Sequence, residues 1–341
     1  MRGVLLTQLR YDNYLHLDRA SFPQPASILS TAWYPTASSS DPASYCFVAA
    51  VRNGPVKLFD ASDGRLRASY KIIDHQERFI APHCMGFNMH MNRLYCGFEN
   101  AIEVFDVHYP GEGTRLYTVP TKKSRDGLRG IVSSLAFAPD WSGLYAAGSF
   151  SGAIALYTED AGAQAQGWLG GVEGGVTQIR FNPMQSHIVY AGFRRTPTIA
   201  RWDLRNPSGP VALYDRGTIE TNQRLHFDIS PDGRWVIAGD EAGKISIFDA
   251  LGDRGCMSSA NAHKDSVGAV TFHPTRPFVV STSGSRHFTY PELVSSDSSG
   301  ESDMEVEIIV SGVQRPVVRR RRGPSTMDNS VKLWTYGEPQ C

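Results

Sequence analysis

The chain has 341 residues, with 34 basic and 34 acidic side chains and an apolar fraction of 41 %. That length buries a large core, and the charge balance excludes a uniformly basic nucleic-acid coat. The N-terminus offers only Val4–Leu6 as an apolar run, too short for a signal-peptide core, and no stretch reaches the length of a membrane span. Cys46, Cys84, Cys96, Cys256 and Cys341 are scattered without a Cys-x-x-Cys spacing, as expected of reduced thiols in cytosol or nucleus.

From Ile28 onward one unit recurs. Each copy has an apolar segment, a turn that often holds proline, a strand ending in small residues, a second turn, and a strand closing near an aspartate. The copies run over Ile28–Asp60, Pro82–Asp106, Ile131–Thr158, Gly175–Asp203 and Thr221–Ala250. A sixth begins at Val267 ("VGAVTFHPTRPFVVSTSGSR") and closes with "DNSVKLW" at Trp334. The closing positions 60, 106, 158, 203 and 249 are spaced by 46, 52, 45 and 46 residues, the period of propeller blades. Pro35, Pro139, Pro183, Pro231 and Pro274 fall in the first turn, where no ladder donor is needed. Gly97, Gly148, Gly192 and Gly239 fall near the end of the second strand, where close backbone approach or a tight turn calls for glycine. No segment has helical periodicity.

The chain divides accordingly. Residues 1–27 form a strand or closure segment that supplies an outer strand to the ring. Residues 28–290 hold the repeats. Residues 291–328 are a disordered insertion, acidic in "PELVSSDSSGESDMEVE" and then basic in "QRPVVRRRRGPS". Residues 329–341 are a closing strand and tail. Arg319, Arg320, Arg321 and Arg322 in the basic part are a candidate nuclear import signal. With "RWDLR" at Arg201–Arg205 carrying the Trp-Asp dipeptide, the chain resembles an all-β WD-repeat propeller. Six repeats are visible, and a seventh blade follows if the N-terminus completes one. A single blade cannot bury both apolar faces, so ring stacking is the physical reason for the repeat.

No catalytic constellation stands out. "GSFSG" at Gly148–Gly152 has Phe150 where a nucleophile elbow needs serine, and "GDEAGK" at Gly239–Lys244 is one residue short of a phosphate loop. The ten histidines lack metal-type spacing. The expectation is a non-enzyme without cofactor, metal, membrane or small-molecule substrate. Such a ring works by presenting loops. Arg52, Lys122, Lys123, Arg125, Arg129, Arg194, Arg195, Asn222, Gln223 and Arg224 fall on one rim. Aspartates such as Asp106, Asp140, Asp160 and Asp203 fall on the other. Phe98, Phe150 and Phe193 occur near the same turn of three blades. Beside arginines, Phe150 and Phe193 read either as stacking platforms for unpaired bases or as packing between blades.

Several segments are more specific. "FDASDGRLRASYKIIDHQE" (Phe59–Glu77), "LGGVEGGVTQIRFNP" (Leu169–Pro183), "RWDLRNPSGPVALY" (Arg201–Tyr214), "ETNQRLHFDISPDGRWVIAGDEAGKISIFD" (Glu220–Asp249) and the acidic loop after "SGSRHFTYPE" resemble the telomerase Cajal body protein family. The resemblance implies a nuclear, Cajal-body protein, with a cytoplasmic pool as well. It implies binding of small Cajal body and box H/ACA-type RNAs, with box H/ACA ribonucleoprotein proteins and telomerase as partners. The family assigns no base-contacting residues here. The candidate RNA residues Lys122, Lys123, Arg125, Arg129, Phe150, Phe193, Arg194, Arg195, Asn222, Gln223 and Arg224 rest on loop position and chemistry alone. The alternative is a protein–protein scaffold, including one acting in spliceosomal particle biogenesis.

Overall fold

A computed structural model describes residues 5–8, 22–121, 124, 126–252, 255–287, 305–310, 313–318 and 325–337. Its first strand, β1, is Leu5–Gln8. Blade one is β2 (Ile28–Trp33), β3 (Cys46–Val51), β4 (Val56–Asp60) and β5 (Leu66–Tyr70). Blade two is β6 (Cys84–Phe87), β7 (Arg93–Phe98), β8 (Ala101–Asp106) and β9 (Thr114–Tyr117). Blade three is β10 (Val132–Phe137), β11 (Leu144–Ser149), β12 (Ile154–Thr158) and β13 (Gly167–Leu169). Blade four is β14 (Val176–Phe181), β15 (Ile188–Phe193), β16 (Thr198–Asp203) and β17 (Ala212–Asp215). Blade five is β18 (Phe227–Ile229), β19 (Trp235–Gly239), β20 (Lys244–Asp249) and β21 (Cys256–Asn261). Blade six takes β22 (Val267–Phe272) and β23 (Phe278–Ser283), then β26 (Val331–Gly337), and β1 as its outer strand. Each blade is a four-stranded antiparallel sheet, a simple meander in blades one to five, as expected of a WD-repeat propeller.

The strands alternate apolar residues on both faces because both faces are covered. Five clusters fill the seams between consecutive blades. Val48 and Leu58 meet Phe87 and Phe105 between blades one and two. Tyr95 meets Val132 and Tyr145 between two and three, and Ile154 meets Val176 and Val189 between three and four. Tyr214 meets Phe227 and Phe248 between four and five, and Ile247 meets Val267 and Val279 between five and six. The seam glycines have a definite cause. A Cβ on Gly148 would lie 2.5 Å from Val176 Cγ1, and one on Gly239 would lie 2.3 Å from Val267 Cβ. Each sits where the second strand of one blade meets the first strand of the next.

No such cluster joins blade six to blade one among the described residues. The outward face of blade one carries Trp33, 56 % exposed, its ring tilted against Phe47 at 5.4 Å. Phe22 covers part of that face, 5.4 Å from Phe47 and 6.4 Å from Phe59. On blade six Val331 is 69 % exposed.

Blade six is also tied by a polar network. Ser281 Oγ, fully buried, accepts from Trp334 Nε1 at 2.8 Å and pairs with His263 Nε2 at 2.7 Å. His263 Nδ1 lies 3.3 Å from Asp328 Oδ2, and Lys264 N donates to the same oxygen at 3.0 Å. The network links the end of blade five to the two middle strands of blade six, β23 and β26. Between β23 and β26 the chain makes a further hairpin, β24 (Glu305–Val310) with β25 (Val313–Val318). The expectation of a structureless insertion is corrected there: "EVEIIV" and "VQRPVV" alternate apolar residues strongly enough to pair. Residues 288–304 before it and Arg319, Arg320, Arg321 and Arg322 after it lie outside the described residues. At the base of the insertion His287 and Ser325 exchange backbone bonds of 2.8 and 3.0 Å. Buried Asp265 accepts from Met327 N at 3.1 Å and meets His287 Nε2 at 3.0 Å. Ser285 Oγ meets the same Nε2 at 2.7 Å. With serine and aspartate on one nitrogen, this trio lacks the two-sided imidazole of a charge relay. It acts as a clasp on the insertion.

Candidate functional site

In every blade the second-to-third-strand turn and the loop leading into the first strand lie at the same end of the ladder. Arg52 follows β3, Phe150 follows β11, and Arg194 and Arg195 follow β15. Arg129 precedes β10, and Asn222, Gln223 and Arg224 precede β18. These residues therefore share one rim.

Three of them converge on a point. The guanidinium carbons of Arg194 and Arg224 lie 4.1 and 4.9 Å from the centre of the Phe150 ring. Arg224 Nη1 donates to the His83 carbonyl oxygen at 3.0 Å, so a residue leading into blade five reaches blade two. The His83 ring stands edge-on to Phe150 at 6.5 Å. Four blades thus meet over the middle of the ring. Arg194 Nε is buried without a hydrogen-bond partner. Cation–π contact with Phe150 compensates part of the desolvation of these guanidinium groups.

The cluster is strongly electropositive. Burial, and then the neighbouring Arg194 charge, lower the Arg224 pKa. Burial, Arg224 and Arg52 lower that of His83. Burial first, then Arg224, Arg180 and Arg216, push His226 down to about 4, although the residue as a whole is exposed. The charges that act on His83 and His226 are all cationic. Arg180 is offset by Asp228 at 3.4 Å and Arg216 by Asp240, whereas among the described residues neither Arg194 nor Arg224 forms an ion pair, and partly desolvated donors of that kind attract oxyanions.

The profile of the "WD domain, G-beta repeat" matches residues 254–288. Telomerase Cajal body protein 1 of Mus musculus is 32 % identical over 289 residues, 83 % of this chain and 53 % of that protein. The chain belongs to the telomerase Cajal body protein family. The homolog of Drosophila melanogaster is 27 % identical over 325 residues, 93 % of this chain and 56 % of its own. Guanine nucleotide-binding protein negative regulator 1 of Schizosaccharomyces pombe is 29 % identical over 231 residues, 66 % of this chain and 57 % of its own. The chain spans about half the length of the curated relatives it matches.

Within this family member the candidate residues separate. Phe193 is corrected: it is 2 % exposed and packs against Trp202 in the seam of blades three and four. Phe98, at 5 %, is likewise core. The cause is a one-residue offset. Phe98 and Phe193 directly follow the seam glycines Gly97 and Gly192, whereas Phe150 stands two residues after Gly148, and alternation along a strand turns it outward. Phe150 supports cations rather than presenting an empty face. Arg129, Arg195 and Asn222 are exposed on the rim. Gln223 is partly committed, with Oε1 accepting from Ser266 Oγ at 3.4 Å. The loop it belongs to is held by Glu241 Oε2, which accepts from Glu220 N and Thr221 N at 2.7 and 3.0 Å. Lys122, Lys123 and Arg125 lie outside the described residues. His83 and His226 escaped the sequence reading, since nothing in a lone histidine before a strand marks it as part of a shared cluster.

The two histidines give a pH expectation. An unfolded histidine titrates near 6.5. Between that value and about 4 the unfolded chain binds a proton that folded His226 refuses, so stability rises with pH and is lost on acidification. Thermal unfolding followed from neutral pH down to pH ~4.5 should show this loss, and His226→Gln should flatten the slope. An unchanged slope in that variant removes His226 as its source.

Proposed function

We propose that this propeller is an RNA-binding subunit of a nuclear small-RNA particle, gripping unpaired nucleotides on the rim over the Arg194–Phe150–Arg224 cluster. The RNAs are of the small Cajal body or box H/ACA type, the neighbouring proteins are those of box H/ACA particles, and telomerase is a further setting. The protein resides in the nucleus, in Cajal bodies or their equivalent. The name of the relatives supports the setting. The observation that carries the reading is the cluster itself: two arginines held on one aromatic ring, with exposed Arg195 and Arg129 on the same rim. The planar guanidinium groups pair with phosphate and stack on splayed bases, which is how unpaired RNA is held. The cluster requires no chemical step.

Ultraviolet crosslinking in native cells, followed by sequencing of bound RNA, tests the reading. The expected result is enrichment of a small set of structured nuclear RNAs, with crosslinked peptides from the rim. Recovery of messenger RNA in proportion to its abundance, or partners that all survive ribonuclease, would favour the protein-scaffold alternative instead.

A further inference from the structure

The opposite rim carries a second prepared surface. Trp141 sits in the Pro-Asp-Trp-Ser-Gly turn before β11, while Phe150 follows the same strand, so the two lie at opposite ends of blade three. Trp141 is 56 % exposed and adopts a left-handed backbone, φ 63°. Few bulky residues occupy that region unless their surroundings impose it. The His90 ring from blade two stands edge-on to Trp141 at 5.2 Å. Met184, on the equivalent turn of blade four, is 68 % exposed.

The turns beneath are locked to one another. Asn88 Nδ2 donates to Glu159 Oε2 at 3.1 Å, joining blades two and three. Asp140 is held below its usual pKa by the Ser142 hydroxyl first, and the Ser186 side chain of blade four also bonds to it. Asn182 Nδ2 donates to the Gly233 carbonyl at 2.9 Å, joining blades four and five. The apolar groups therefore stand on a rigid base, and docking on them costs little ordering entropy. The charge around them is acidic. Asp140 and Asp160 are exposed, and the nearby Arg93 is already paired with Glu159 at 3.8 Å. Burial first, and then the carboxylate of Glu159, itself largely buried beside the turn, raise the pKa of the neighbouring Tyr95 hydroxyl.

We propose that Trp141, His90 and Met184 form a docking surface for a protein segment in which basic side chains flank an apolar anchor. The anchor rests between Trp141 and Met184. A lysine or arginine stacks on the indole and pairs with Asp140 or Asp160. Charge complementarity selects this occupant: the carboxylates repel nucleic-acid phosphate and attract a basic peptide. The inference does not depend on the RNA reading, because it concerns the other rim.

The test uses the full chain and two short synthetic peptides, one of Arg-Gly-Leu repeats and one of Glu-Gly-Leu repeats, measured by titration calorimetry. The basic peptide should bind and the acidic one should not. Trp141→Ala should weaken binding by about tenfold. Met184→Ser, on a different blade, and Asp160→Lys should weaken it as well. Arg194→Ala on the far rim should leave it unchanged. The proposal is overturned if the acidic peptide binds equally, if Arg194→Ala weakens binding as much as the Trp141 change, or if Trp141→Ala with an unaltered melting curve binds like wild type. Should Trp141→Ala fold poorly, Met184→Ser decides by the same criterion.

Discussion

Gly239→Ala should destabilise the propeller by about 3 kcal/mol. The new methyl would stand 2.3 Å from Val267 Cβ and 2.5 Å from its Cγ1. Val267 is fully buried on the first strand of blade six, enclosed by Ile237, Ile245 and Val279, so it cannot swing aside. The blades must separate or the strand must bend, and either loosens the seam between blades five and six. Against a native stability of about 5–15 kcal/mol, that is a large fraction. Gly170→Ala serves as the control, since a Cβ there meets nothing within 4 Å. Urea unfolding of both variants makes the comparison. If Gly239→Ala unfolds at the wild-type midpoint, the seams are not packed as tightly as this geometry requires.

The second large effect concerns RNA. Arg194→Ala combined with Arg224→Ala should reduce affinity for a single-stranded RNA probe by roughly 100-fold at moderate salt, measured at a temperature where the double variant remains folded. The slope of log affinity against log salt should fall by about 0.7 for each arginine that neutralises a phosphate. Phe150→Leu should give a smaller loss, because it removes the ring that holds the guanidinium groups but not their charge. Affinity and salt slope that both remain at wild-type values in the double variant would place any RNA contact elsewhere.

The inner three strands of each blade were plain in the sequence because both of their faces are buried. "IVYAGF" in β15 is buried at every position, and its apolar run, small residues and following turn are unambiguous. The fourth strands were not plain. "TRLY" and "GWL" are short and partly exposed, so composition says little and only the ladder to the neighbouring strand defines them. At the site, the rim position of Arg194 and Arg224 followed from the repeat. Their meeting on Phe150 did not, because it joins blades whose sequence separation carries no pattern. The confusion of Phe150 with Phe193 came from aligning turns to within a residue, where a single step reverses the side a strand residue faces.

The pairing of β1 with β26 has a consequence for biosynthesis. Leu5 lies opposite Gly337 and Gln8 opposite Trp334, so the sixth blade is stitched from strands that lie far apart in the sequence. As the chain leaves the ribosome, blades one to five can settle in turn from nearby contacts, while Leu5–Gln8 waits with an unsatisfied edge until residue 337 has emerged. Closure of the sixth blade is therefore a long-range step, slow in loop-closure terms and exposed meanwhile to capture by chaperones or by the edge of another nascent chain.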